Sequence, residues 1–93
     1  MLDIDTVFEL HKNIVLRGIG DKYWALDVST GDQYKLNEVS FFILDLFRSP
    51  QTIAQITKAV MNEYNVTRER VIEDCRKVLQ FADEKKIIKE VCV

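Results

Sequence analysis

Cysteine, histidine, proline and glycine are all scarce in this 93-residue chain, at two, one, one and three residues. The single histidine, His11, has no cysteine or second histidine at metal-ligand spacing, and Cys75 and Cys92 lie far apart, so no zinc site is expected. Gly18 and Gly20 leave a Gly-x-Gly with no helix opening after it, which reads as a hairpin turn and not a phosphate loop. The neighbouring carboxylates Glu73-Asp74 and Asp83-Glu84 fall in a charged helix and read as a solvated face. Catalysis, metal and cofactors are therefore not expected. No apolar run reaches about 18 residues, so nothing should span a bilayer. The first residues, MLDIDTVFEL, have no basic stretch and are not expected to be a signal peptide. The expected location is the cytoplasm, where a Cys75–Cys92 disulfide is not indicated. Cys75 shares a helix face with Val71, Val78 and Ala82 and reads as a small core hydrophobe, and Cys92 as a free thiol. An excess of one charge is also missing. With 13 basic and 15 acidic side chains the net charge is −2, which gives no electrostatic case for nucleic acid or an anionic membrane.

What is present is an ordinary globular composition, 47% apolar and 30% charged, without repeats, low-complexity segments or a linker. One domain over residues 1–93 is expected. Residues 1–12 form an N-terminal arm whose first eleven residues fit a loose segment, a short strand or one helical turn. Residues 13–19 (NIVLRGI) are β-branched and apolar and predict a first strand. Residues 20–22 turn the chain into a second strand over 23–28, where Trp24, Leu26 and Val28 share one face and Tyr23, Ala25 and Asp27 the other. Ser29-Thr30-Gly31 closes a second hairpin, with Gly31 free to take positive φ. The third strand covers 32–36. Asn37 then caps a helix over about 38–47, apolar almost all round and so destined for the interior. Leu36 and Phe41 could staple its start, and Ser49-Pro50 stops it.

Thr52 and Gln55 form a capping box for a second helix, with Ile53, Ile56, Val60 and Tyr64 at helical spacing and Asn65 as its C-terminal cap. Thr67 caps a third helix predicted to reach Lys86, with Lys85 and Lys86 in its last turn where the helix dipole favours cations. Residues 87–93 form a C-terminal tail, either a last strand or a packed segment. The order β-β-β-α-α-α describes an α+β domain, winged helix-turn-helix-like, with a three-stranded antiparallel sheet before three helices.

Two binding functions suit that fold. A winged-helix DNA-binding transcriptional regulator would need a basic stripe on its recognition helix. Here Arg68, Arg70, Arg76, Lys77, Lys85 and Lys86 are interleaved with Glu69, Glu73, Asp74, Asp83 and Glu84, and the wing turn 29–32 has no basic residue. DNA binding is therefore the alternative reading. Peptide capture needs an open strand edge, where an extended segment adds by backbone hydrogen bonds. On the third helix Val71, Cys75, Val78 and Ala82 form the apolar centre, and Phe81 lies at its border beside Asp74 and Lys85. Phe81 either finishes the core or lines a groove. An open edge can equally pair with a second copy, so a homodimer is a further possibility.

Residues 23–88 carry an ordered set of motifs. Val28-x-x-Gly31-x-x-Tyr34-x-Leu36-Asn37 ends the third strand, followed by Ile43/Leu44/Leu46, Thr52-Ile53…Ile56…Tyr64 and Val71…Asp74…Leu79…Ile87. This set resembles the PqqD-like family, the recognition domains of ribosomally made, modified peptides (RiPP recognition elements). The resemblance implies a non-catalytic winged-helix-like fold. It also implies that the leader of a precursor peptide binds between the third strand and third helix and is presented to a modifying enzyme. That enzyme is a radical SAM protein in PQQ biosynthesis, and in lasso-peptide pathways the partner is a leader protease. By position, the implied peptide-binding residues are Asp32, Gln33, Tyr34, Lys35 and Leu36 on the strand side. On the helix side they are Asp74, Cys75, Val78, Phe81, Ala82 and Lys85. Tyr34 and Leu36 could point inward, leaving only their backbone to contribute. The family's Asp-Gly between the first two helices is replaced by Arg48-Ser49-Pro50-Gln51, and no N-terminal match to PqqD proteins proper is present, which points to a peptide pathway other than PQQ.

Overall fold

Two local hairpins build the first sheet. β2 (Ile14–Ile19), β3 (Lys22–Asp27) and β4 (Gln33–Leu36) pair antiparallel in the order β2-β3-β4. The computed structural model describes residues 5–91. Gly20 takes φ 61° at the first central position of the tight β2–β3 turn, a conformation that suits glycine. The β3–β4 connection is held by Asp27, whose Oδ1 accepts from Ser29 N (2.9 Å), Ser29 Oγ (2.6 Å) and Thr30 N (3.3 Å). Gly31, at φ 82°, donates to Asp27 O at 2.8 Å and returns the chain to β4. Asp27 is acidified first by the Ser29 hydroxyl.

α1 (Glu38–Leu46) follows at once because Asn37 Oδ1 accepts from Ser40 N at 2.7 Å. It crosses the inner face of the sheet. Ile43, Leu44 and Phe47 are fully buried, while Phe41 stacks on Tyr23 at 4.6 Å and Phe42 meets Tyr64 edge-on at 5.6 Å. α2 (Ile53–Glu63) opens on the expected capping box: Thr52 Oγ1 accepts from Gln55 N at 3.1 Å, and Gln55 Oε1 accepts from Thr52 N at 2.8 Å. It closes at Tyr64, whose N–H reaches Val60 O, and not at Asn65. Thr67 caps α3 (Arg68–Glu84), which buries Val71, Cys75, Leu79 and Ala82. No described helix is long and apolar enough to cross a membrane.

Two sequence expectations are corrected at the ends. In place of a single three-stranded sheet there are two, the second including residues 7–10 of the arm and 88–90 of the tail, where a strand is among the readings the sequence leaves open. β1 (Val7–Leu10) is its middle strand, between β5 (Gln51–Thr52) and β6 (Ile88–Glu90). Phe8 drives this, since it is 3% exposed and joins the core with Ile87 and Ile88. Lys89 and Glu9 pair across the strands at 3.6 Å. The other correction is that α3 stops at Glu84, so Lys85 is its C-cap and Lys86 lies beyond it at φ 59°. Lys86 N donates to Asp83 O (3.2 Å) and Ile87 N to Ala82 O (2.8 Å), the two bonds of a Schellman motif. The sequence offers no glycine to announce this ending. Lys86→Gly should therefore stabilise the protein by about 1 kcal/mol, by removing the left-handed penalty of a side chain. Urea unfolding at matched m-value measures it.

Cys75 is wholly buried and carries a free thiol; Cys92 lies outside the described residues. Burial, aided by the Asp74 carboxylate, pushes the Cys75 thiol up from 9.0 to about 11. Between pH 9 and 11 the unfolded chain loses this proton while the folded chain keeps it, so stability falls as pH rises through that window. At pH 8, iodoacetamide should label Cys75 only after denaturant is added, which mass spectrometry of the tryptic peptide reads directly.

Candidate functional site

Strand order leaves β4 at an edge of its sheet, paired on one side only with β3. Its register fixes which backbone groups are free. Asp27 N bonds Asp32 O at 2.9 Å, and bonded pairs recur at every second residue of an antiparallel ladder. Tyr34 and Leu36 therefore exchange their bonds with Ala25 and Tyr23, while the N–H and C=O groups of Gln33 and Lys35 face outward. The side chains alternate as well. Leu36 turns into the core and Tyr34 lies half-buried on the inner face.

Beside this edge runs a groove of about 570 Å³ between the β4–α1 junction and α3. Leu36, Val39, Val78 and Phe81 give it an apolar floor. Lys35, Asn37, Ser40, Arg70, Asp74 and Lys77 complete the lining. Tyr34 packs edge-on against the lining residue Phe81, with ring centroids 5.9 Å apart. Burial, together with the Asp32 and Asp27 carboxylates, raises the Tyr34 phenol above its ordinary value, so it is a neutral hydrogen-bonding group at physiological pH.

The sequence-derived residues separate into four sets. Lys35, Leu36, Asp74, Val78 and Phe81 line the groove, and Tyr34 touches it only through Phe81. Gln33 lies on the edge strand, exposed, and Asp32 sits in the preceding loop, where its Oδ2 accepts from Thr30 Oγ1 at 3.0 Å. Lys85 is exposed at the helix end, outside the lining. Cys75 and Ala82 must be corrected. Both have zero exposure and face the core, so neither side chain is available to a ligand. The sequence reading missed Arg70, Lys77, Asn37, Val39 and Ser40. Helical spacing could have found the first two, since 70, 74, 77, 78 and 81 follow one stripe of a 3.6-residue helix.

Charges on α3 compensate one another. Arg70 Nε meets Asp74 Oδ2 at 3.4 Å and Lys77 Nζ meets Glu73 Oε1 at 3.4 Å. These pairs leave a weaker field than a phosphate-binding stripe needs. Among the described residues no group of three or more His, Cys, Asp and Glu is placed to hold a metal ion.

Comparison with known proteins follows the same lines. Residues 22–88 match the sequence profile of Coenzyme PQQ synthesis protein D (PqqD). No curated protein sequence matches the chain. In structure the chain is similar to TbiB1, solved in complex with the TbiA(beta) leader peptide. The TM-score is 0.77 at 25% identity, over 91% of this chain and 99% of that one. It shares its fold with a lasso peptide synthetase B1 complexed with the leader peptide, at TM-score 0.74 and 20% identity, over 88% and 96% of the two chains. With the profile covering well over half its length, and with an edge strand, apolar groove and three-helix order in the expected places, the chain belongs to the PqqD family.

Proposed function

We propose that this protein captures the leader segment of a ribosomally made precursor peptide by strand addition to β4 and presents it to a modifying enzyme. The observation that carries the reading is the pairing of an open edge with an apolar groove. The outward backbone groups of Gln33 and Lys35 offer a hydrogen-bonding template. Alternate side chains of an added strand would then point over the groove floor at Leu36, Val78 and Phe81. Both solved relatives named above hold a leader peptide, which supports the same reading.

The role is non-catalytic. Ser40 and Asp74 are the lining groups closest to catalytic types, and neither has a histidine beside it in the lining. His11 is turned to another task, its backbone N–H donating to Ile87 O and its Nδ1 accepting from Asn13 N. The enzyme served is a radical SAM protein or a leader protease, the protein acting in the cytoplasm where such peptides are made.

The preferred segment carries two or three apolar side chains at alternate positions and an acidic residue for Lys35 or Lys77. Each well-buried apolar side chain contributes roughly 1.5–3 kcal/mol, and ordering the free peptide takes back roughly 2–5 kcal/mol. Affinity near micromolar, about −8 kcal/mol, is expected. The test is fluorescence anisotropy with labelled leader and core halves of the precursor encoded beside the chain's gene. Binding of the leader alone supports the reading; equal binding of both halves, or of neither, overturns it. Uptake of generic duplex DNA that strengthens steadily as salt falls would instead favour a transcriptional regulator.

A further inference from the structure

The sheet β2-β3-β4 gives its inner face to the core, with α1 across it, and turns its outer face to solvent. A solvated antiparallel face ordinarily carries polar side chains. Here the register places Val15, Ile19, Trp24 and Leu26 outward. Val15 is 41% and Ile19 63% exposed, and Val28, just past the end of β3, is 66% exposed. Arg17, Lys22 and Lys35 stand between them, all exposed, and Gln33 is the remaining residue of these rows. The ladder rows of this face contain no acidic side chain, although the whole chain has a net charge of −2. Asp21 and Asp32 lie outside it, in the turns.

We propose that this outer face docks an apolar, acid-rimmed surface of the enzyme that acts on the captured peptide, with the added peptide strand forming part of the same contact. The inference rests on the leader-capture reading. A second copy of the chain fits poorly, because a two-fold contact of this face with itself would bring Arg17, Lys22 and Lys35 of both copies together with no acidic side chain between them. An anionic membrane would match the cations of this face but has no use for continuity with the added peptide strand. Continuity with the edge points to the enzyme. A strand added to β4 places every second side chain in this face, beside Gln33 and Lys35.

Size sharpens the inference. At about 4.8 Å per strand and about 3.3 Å per residue, three strands of up to six residues project to roughly 300 Å². A standard interface uses about 800 Å² per partner. The face alone is small, and the peptide strand widens it by about a third. The enzyme should therefore bind the loaded protein several-fold tighter than the empty one.

The test titrates the purified enzyme encoded beside the chain's gene against the full chain, with and without saturating leader peptide, by calorimetry. The variants are Arg17→Glu with Lys22→Glu, and separately Ile19→Ser, all at exposed positions outside the groove lining; circular dichroism verifies their fold. The expected result is enzyme affinity lowered at least tenfold in both variants, with leader affinity held within twofold. Unchanged enzyme affinity in both, or no enzyme binding by the parent chain, overturns the proposal. So does a parent chain that self-associates in sedimentation, or binds vesicles of 7:3 phosphatidylcholine and phosphatidylserine, in a way these variants abolish. Failure of the parent chain to bind leader sinks the leader-capture reading instead, and the titration without leader still tests the face.

Discussion

Val78→Asp should lower leader affinity at least a hundredfold, about 2.7 kcal/mol, while the protein stays folded. Val78 is half-buried and forms the groove floor with Leu36, Val39 and Phe81. An aspartate there faces apolar peptide side chains, and its charge loses hydration when the peptide covers it. The carboxylate can still reach water in the free protein, so the unfolding midpoint should fall only modestly. Phe81→Ala is the companion variant. It removes floor area and the edge contact with Tyr34, and should weaken binding roughly tenfold to a hundredfold. Unchanged anisotropy titrations for both variants would remove the groove from the mechanism. Lys85→Glu serves as a control, because Lys85 lies outside the lining, and it should shift affinity less than threefold.

The second large effect separates strand addition from side-chain docking. Lys35→Pro removes an N–H that the β4 ladder does not use, since residue 35 bonds toward the open edge. Proline is tolerated at such edge positions, so stability should change by about 1 kcal/mol or less. The incoming strand loses a donor and meets the pyrrolidine ring. With one lost hydrogen bond and one carbonyl left without its partner, affinity should fall roughly thirtyfold, about 2 kcal/mol. Lys35→Ala isolates the loss of charge and should cost far less. Tyr34→Pro, one residue away, breaks the ladder bond to Ala25 and should destabilise the fold itself. Equal leader affinity for the Lys35 proline and alanine variants would show that the backbone edge is not the template.

What was legible in the sequence follows the range of the interactions. The β2–β3 and β3–β4 hairpins, the Asn37 cap, the Thr52/Gln55 box and the Thr67 cap are decided within a few residues, and each is found where periodicity puts it. The second sheet was not legible. β5 has two residues and β6 three, and Phe8 finds Glu90 across nearly the whole chain. No local signal encodes that pairing.

The groove was half legible for a geometric reason. At about 100° per residue, Val71, Ala82, Cys75 and Leu79 fall within roughly 40° of one direction on α3, and that arc is the buried one. Val78, Asp74, Phe81, Arg70 and Lys77 lie roughly 60–160° to one side, and that arc is the groove. A sequence shows one broad apolar arc. Only packing reveals which part is covered, so Cys75 and Ala82 were placed in the groove and Arg70 and Lys77 were left out. The backbone roles of β4 were hidden similarly. Tyr34 and Leu36 looked like the residues offering their backbone, but the register assigns that task to Gln33 and Lys35.

The placement of β1 between β5 and β6 has a consequence during synthesis. As the chain leaves the ribosome, β2–β4 and α1 can form early from neighbouring segments, whereas β1 must wait for residues 88–90 to emerge before its sheet can close. Until then Phe8 has no finished core to enter, and the nascent protein displays an apolar strand whose β6-facing edge is open. Emergence of residues 88–90 thus decides when the β1 strand stops being a hazard for aggregation.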